Sequence, residues 1–115
     1  MPTFRPFDVV AVPFPYVERE ARKRRPTVVV SRPDVADRHG LAWVLMITSA
    51  DNPAWPGDVG IDDLAAAGLP KPSVIRPAKI ATVETARCDL LGRLSGKTAR
   101  AVAAALARAI APAVP

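Results

Sequence analysis

The chain has 115 residues, half of them apolar, with a formal charge of +5 at neutral pH and a pI near 10.1. That length predicts one domain over residues 1–115, with a core large enough to stand without disulfides or metal. One cysteine and one histidine exclude an internal disulfide and any Cys₂His₂ or Cys₄ metal site.

The cysteine count suits a reducing cytoplasm. The opening Met1-Pro2-Thr3-Phe4-Arg5 leads into no unbroken apolar segment, so neither a signal peptide nor a membrane span is expected. The positive balance favours a polyanionic partner, a nucleic acid or an acidic protein, although a merely soluble basic protein carries the same sign.

Thirteen prolines argue against long helices in the first part of the chain. "FDVVAVPFPY" (7–16) alternates loosely and reads as a strand that ends, or lies at an edge, because Pro13 and Pro15 have no N–H to donate. "VEREARKRR" (17–25) is a polar connection, and "PTVVVSR" (26–32) is a β-branched, buried strand. "DVADRHG" (34–40) reads as a loop and "LAWVLMITSA" (41–50) as a central strand that takes Trp43 into the core. A turn-rich loop (51–60) precedes a turn or two of helix in "DDLAAAGLPKP" (62–72), capped by Asp62 and closed by Gly68. "SVIRPAKIATV" (73–83) is one bent strand or two short ones broken at Pro77, and "CDLLGRLS" (88–95) is a further strand. Ser95 caps an amphipathic helix over 96–111, with Val102, Leu106 and Ile110 on its apolar face. Five to seven short strands and one terminal helix make a mainly-β fold, a strongly bent sheet or barrel closed by that helix.

Few residues here do chemistry. Cys88 reads as a buried, inert thiol and His39 as a solvated loop residue. No phosphate-binding glycine loop is present, and Asp62-Asp63 is a helix cap before it is a metal site. The unusual feature is Lys23-Arg24-Arg25 set directly against an apolar strand. Mutual repulsion makes that cluster costly unless something negative is received there.

The ordered set "FDVVAVPFPY", "KRRPTVVVSR", "VLMITSA", "GLPKPSVIRPAKIATV" and "LLGRLS" resembles the MazF/PemK family, the toxins of type II toxin–antitoxin systems. The resemblance runs from about Phe7 to the final helix. It implies an SH3-like, CcdB-like barrel with a C-terminal helix, a homodimer, and a metal-independent endoribonuclease. Such an enzyme cuts single-stranded RNA at short motifs through the ribose 2′-OH and is restrained by a cognate acidic antitoxin. It places the catalytic arginine on Arg25, the catalytic threonine on Thr48, and a glutamate of the active region on Glu20. Lys23, Arg24 and Ser49 then become RNA contacts, with Arg76 and Lys79 extending the track. Trp55, set between prolines, is a candidate base-stacking platform or dimer contact.

By residue type alone these positions stay open. Arg25 suits a solvated basic loop as well as a phosphate clamp, Thr48 is at home in any strand, and Glu20 has Arg22 and Arg24 to pair with. Two departures from the family pattern are visible. Some relatives have glycine before the first-strand acid, where this chain has Phe7 before Asp8; others use an aspartate where "VIRPA" puts Ala78. A CcdB-like gyrase poison and a catalytically inactive RNA- or antitoxin-binding module are the alternatives on the same scaffold. The ending "AIAPAVP" lacks the exposed aromatic tail expected of the former.

Overall fold

A computed structural model describes residues 3–13 and 24–111. The elements in chain order are β1 (Asp8–Pro13), β2 (Arg24–Val29), α1 (Pro33–His39), β3 (Leu41–Ser49), β4 (Val59–Gly60), α2 (Leu64–Ala67), β5 (Ser73–Glu84), a 3₁₀ turn (Thr85–Arg87), β6 (Asp89–Arg93) and α3 (Gly96–Ala109). The strands form one antiparallel sheet in the order β4-β5-β3-β2-β1-β6, curled into a half-barrel with α3 as the C-terminal helix.

Both faces of this sheet are covered, which explains why its strands read as near-continuous apolar runs. Val10, Val12, Val29, Val44 and Met46 enter one cluster, closed by Phe4 and Cys88. Their chain neighbours Val9, Val28, Leu45 and Ile47 enter the other, roofed by Val102 of α3 and Ala67 of α2. Successive side chains of a strand point to opposite faces, so a run such as Val44-Leu45-Met46-Ile47 feeds both cores in turn. Register shifts at Val9/Val10 and Leu45/Met46 supply the curl. Opposite the second shift, Pro77-Ala78-Lys79 are left without partners between Arg76 and Ile80, the bend expected at Pro77.

Of the two readings of the first strand, the one that ends it is met: β1 stops at Pro13 and is no edge, since β2 and β6 flank it and Pro13 lies past the last β6 pair at Ala11. Three expectations are corrected. Residues 33–39 are a helix rather than a loop, opened by Pro33 at its first turn and closed by Gly40 at φ 66°. His39 therefore sits in a last helical turn, where cations suit the helix dipole. Asp63, not Asp62, caps α2, its carboxylate accepting from Ala66 N at 3.0 Å. Asp62 instead takes hydrogen bonds from the Ser95 and Thr98 hydroxyls, both at 2.7 Å, and so ties down the start of α3. Those two donors hold its carboxyl below the usual range. Finally, Ile110 lies beyond the end of α3 and is exposed, while Val102 is fully buried.

Phe7 occupies the left-handed region at φ 75°, the one non-glycine among the described residues to do so. Its backbone is held there by Phe7 N to Val29 O at 2.6 Å and Leu94 N to Phe7 O at 3.0 Å. Glycine adopts this conformation without a side-chain penalty.

α2 ends in a Schellman motif: Leu69 N donates to Leu64 O at 2.9 Å and Gly68 N to Ala65 O at 3.1 Å, with Gly68 at φ 73°. A Cβ on Gly68 would overlap the Leu91 carbonyl, and one on Gly92 would overlap Ala66 O. These two glycines let α2 lie directly on β6. Gly68→Ala is accordingly expected to cost about 2 kcal/mol or more, read as a fall in the urea midpoint at unchanged slope.

Candidate functional site

The sheet opens where Pro26 stands. Val29 O faces β1, where it accepts from Phe7 N, and Val30 N faces β3, where it donates to Trp43 O at 2.9 Å. Alternation along the strand turns Pro26 toward β3, and Pro26 has no N–H to give. The β2–β3 ladder accordingly stops at Thr27↔Met46, although β2 continues against β1 to Arg24. In the resulting gap is a cleft of about 440 Å³. Arg25 and Pro26 form one wall; Ile47, Thr48 and Ser49 form another; Asn52 and the Leu69–Lys71 segment after α2 complete it with Ser73. The lining holds two cations, Arg25 and Lys71, and no carboxylate among the described residues. Such a wall suits an anion.

The structure thus brings Arg25, Thr48 and Ser49 together. Thr48 Oγ1 accepts from Asn52 Nδ2 at 2.6 Å, and Ser49 Oγ accepts from Asp51 N at 3.2 Å. Glu20 and Lys23 lie outside the described residues.

Arg24 and Arg76 do not line the cleft. Arg24 points to the opposite face from Arg25, where it pairs with Asp89 at 2.8 Å and donates to Ala11 O and Arg87 O. Arg76 is buried. Its guanidinium meets both oxygens of Asp58 at 3.0 Å, donates to Pro53 O at 3.0 Å, and lies 4.3 Å from the Trp55 ring centroid. Lys79 Nζ is 5.5 Å from the same centroid and does not line the cleft. This cluster pins the 51–60 loop to the β5 bend. Trp55 spends ring surface on it, though the residue is still 39% exposed. Trp43, expected in the core, is 47% exposed instead.

Sequence reading passed over Asn52, Lys71 and Ser73. Lys71 and Ser73 belong to "KPS", which carried the family resemblance, but nothing in their spacing places them across from Arg25. Ala78 lies in the β5 bulge and lines a different hollow, with Pro77 and Arg108.

The family model for PemK-like, MazF-like toxins of type II toxin–antitoxin systems matches residues 5–110. The chain belongs to that family. Among solved structures it is similar to a MazE–MazF complex from Deinococcus radiodurans (18% identity, TM-score 0.74), which covers 95% of this chain and 96% of that one. It is also similar to an endoribonuclease in complex with its cognate antitoxin from a mycobacterial species, at 18% identity and TM-score 0.73, over 92% and 93% of the two chains. The toxin MazF-mt6 of Mycobacterium tuberculosis is 24% identical at TM-score 0.68, over 91% and 95%. No curated protein matches the chain significantly.

Two measurements test the surroundings of the cleft. The Arg76 guanidinium holds the Asp58 carboxyl below its ordinary value of 3.8. Folding therefore keeps the proton off Asp58 more firmly than the unfolded chain does. The pair's contribution is full above that ordinary value and is lost as pH falls through the depressed one. Asp58→Asn should destabilise by on the order of 3 kcal/mol at neutral pH, with the deficit shrinking below about pH 4 in paired denaturation curves. Cys88 is buried, which pushes its thiol up to about 11. It should react with a thiol reagent only after denaturation, and rapid modification of the native protein would contradict the burial.

Proposed function

We propose that this toxin is a sequence-selective endoribonuclease that cuts single-stranded RNA at the Pro26 cleft, with Arg25 and Thr48 as catalytic residues. The observation that carries the reading is the meeting of those two side chains, from neighbouring strands, at an opening lined by cations and hydroxyls. In the reaction the ribose 2′-oxygen attacks the adjacent phosphorus and the bond to the 5′-oxygen breaks. The products are a 2′,3′-cyclic phosphate and a 5′-hydroxyl, the departing 5′-oxygen taking its proton from water. Charge builds on the nonbridging oxygens as the new bond forms. A guanidinium stays protonated throughout, so Arg25 stabilises that charge and does not act as base. The Thr48 hydroxyl adds a donor to the same oxygens.

The proton leaving the 2′-OH goes to Glu20, five residues before Arg25 in the connection the family resemblance assigns to the active region. Ala78 removes the carboxylate that some relatives use. Lys71 and Ser49, on the walls of the cleft, contact the RNA backbone, as does Lys23, two residues before Arg25 in sequence. Backbone contacts of this kind set affinity and register, while the motif that is cut is read by base contacts. No metal takes part in this scheme. As partner we propose an acidic antitoxin segment that competes for the positive cleft, and a homodimeric toxin as its target; the solved MazE–MazF and endoribonuclease–antitoxin complexes support this.

The test is cleavage of an unstructured RNA oligonucleotide in excess chelator. Wild type should give cyclic-phosphate and 5′-hydroxyl ends and leave the matching DNA intact. Arg25→Ala should lose a hundredfold or more in rate, an estimate of about 3 kcal/mol for one preorganised donor, with an unchanged melting curve. Full activity in that variant would remove Arg25 from the reaction. Gyrase inhibition without RNA cleavage would favour the CcdB-like alternative.

A further inference from the structure

We infer that Asn52 is a positioning residue for Thr48: its side-chain amide occupies the Thr48 oxygen and turns the hydroxyl proton into the cleft. The inference rests on the ribonuclease reading above and assigns Thr48 its direction of hydrogen bonding. Three observations lead to it.

Asn52 Nδ2 donates to Thr48 Oγ1 at 2.6 Å. Asn52 is itself fixed by the turn that closes β3, where Asn52 N donates to Ser49 O at 3.1 Å and Asp51 N to Ser49 Oγ at 3.2 Å. The next link, Ala50 N to Pro72 O at 3.1 Å, joins that turn to the opposite wall of the cleft. Thr48 and Asn52 both line the cleft with Arg25.

A threonine side chain is stiff about its first torsion, but its hydroxyl proton rotates freely and serves either as donor or, through the oxygen, as acceptor. An amide N–H on the oxygen selects among those orientations. The proton must point away from the amide, which leaves Thr48 a donor toward the space beside the Arg25 guanidinium. A wall made of donors fits nonbridging phosphate oxygens, and one of the two lone pairs of the Thr48 oxygen is already engaged by the amide. Asn52 also achieves this without adding charge to a site that receives an anion.

A double-mutant cycle tests the assignment. Asn52→Ala should lower kcat about tenfold, the worth of one hydrogen bond, with KM unchanged. The Asn52→Ala/Thr48→Ala protein should fall no further than Thr48→Ala alone. Losses that multiply would overturn the proposal, because Asn52 would then act independently of Thr48. Asn52→Asp supplies a readout that a structural role does not move. Its carboxylate accepts the Thr48 proton near neutral pH, whereas its protonated acid donates as the amide does. The ratio of its kcat to wild type should therefore rise as pH falls toward the carboxyl range, and more steeply than the corresponding ratio in a Thr48→Ala background, where only the carboxylate's repulsion of the phosphate remains. A pH-independent ratio, or the same slope without Thr48, would overturn it.

A measurement without RNA keeps the proposal separate from the ribonuclease reading. In ¹⁵N-labelled protein the Asn52 side-chain amide protons should shift on Thr48→Ala. Unmoved signals would overturn the hydrogen bond whatever the activity. A shift in a wild-type protein that cuts no RNA would support the hydrogen bond and sink the ribonuclease reading alone.

Discussion

A missing N–H organises this molecule. A six-stranded antiparallel sheet satisfies its backbone by continuous ladders, and an opening in the middle of one needs a reason. Pro26 provides it, since its nitrogen faces β3 and has nothing to donate. The ladder to β3 stops at Thr27, while the ladder to β1 continues three pairs further and keeps Arg25 and Arg24 in register. The cost of the unpaired stretch is confined to strand ends, and the strand beyond the proline stays paired with β1. Arg25 is therefore presented from a defined backbone, next to the end of a second strand that carries Thr48.

The rest of the fold supports that opening from both sides. Two apolar clusters share the strands, so neither face of the sheet is free to reorganise without disturbing the other. α2 is seated on β6 through Gly68 and Gly92, and the chain leaving it becomes the Leu69–Lys71 wall of the cleft. Asp62 fastens the start of α3 through Ser95 and Thr98. Arg76, Asp58 and Trp55 fasten the loop after β3. The cleft is framed by segments whose positions are set by side-chain chemistry outside it.

Much of this was legible in the sequence. Alternation and β-branching marked the strands, and Ser95 with the four-residue apolar spacing marked α3. Arg25 and Thr48 could be paired only through the ordered family motifs, because strand spacing alone does not say which strands become neighbours. α1 was missed although Pro33 and Gly40 bracket it; seven residues with few apolar positions carry no readable period. Trp43 was misplaced because a continuous apolar run does not show which end leaves the core. Arg76 and Arg24 looked like their neighbours in charge. What fixes each of them is a partner distant in the chain, Asp58 for Arg76 and Asp89 for Arg24, and an arginine's sequence context does not reveal it. Asn52 and Lys71 belong to loops that become cleft walls only in three dimensions.

Phe7 shows how such a sheet constrains its own history. The residue sits at φ 75°, where a side chain is a burden, yet its ring packs against the cluster beneath α3. Glycine at this point would relax the backbone and leave a gap; phenylalanine fills the gap and keeps the backbone bent. The two effects oppose one another and are of similar size, on the order of a few kcal/mol each. Substitutions at this position are therefore inseparable from those in the side chains around the ring.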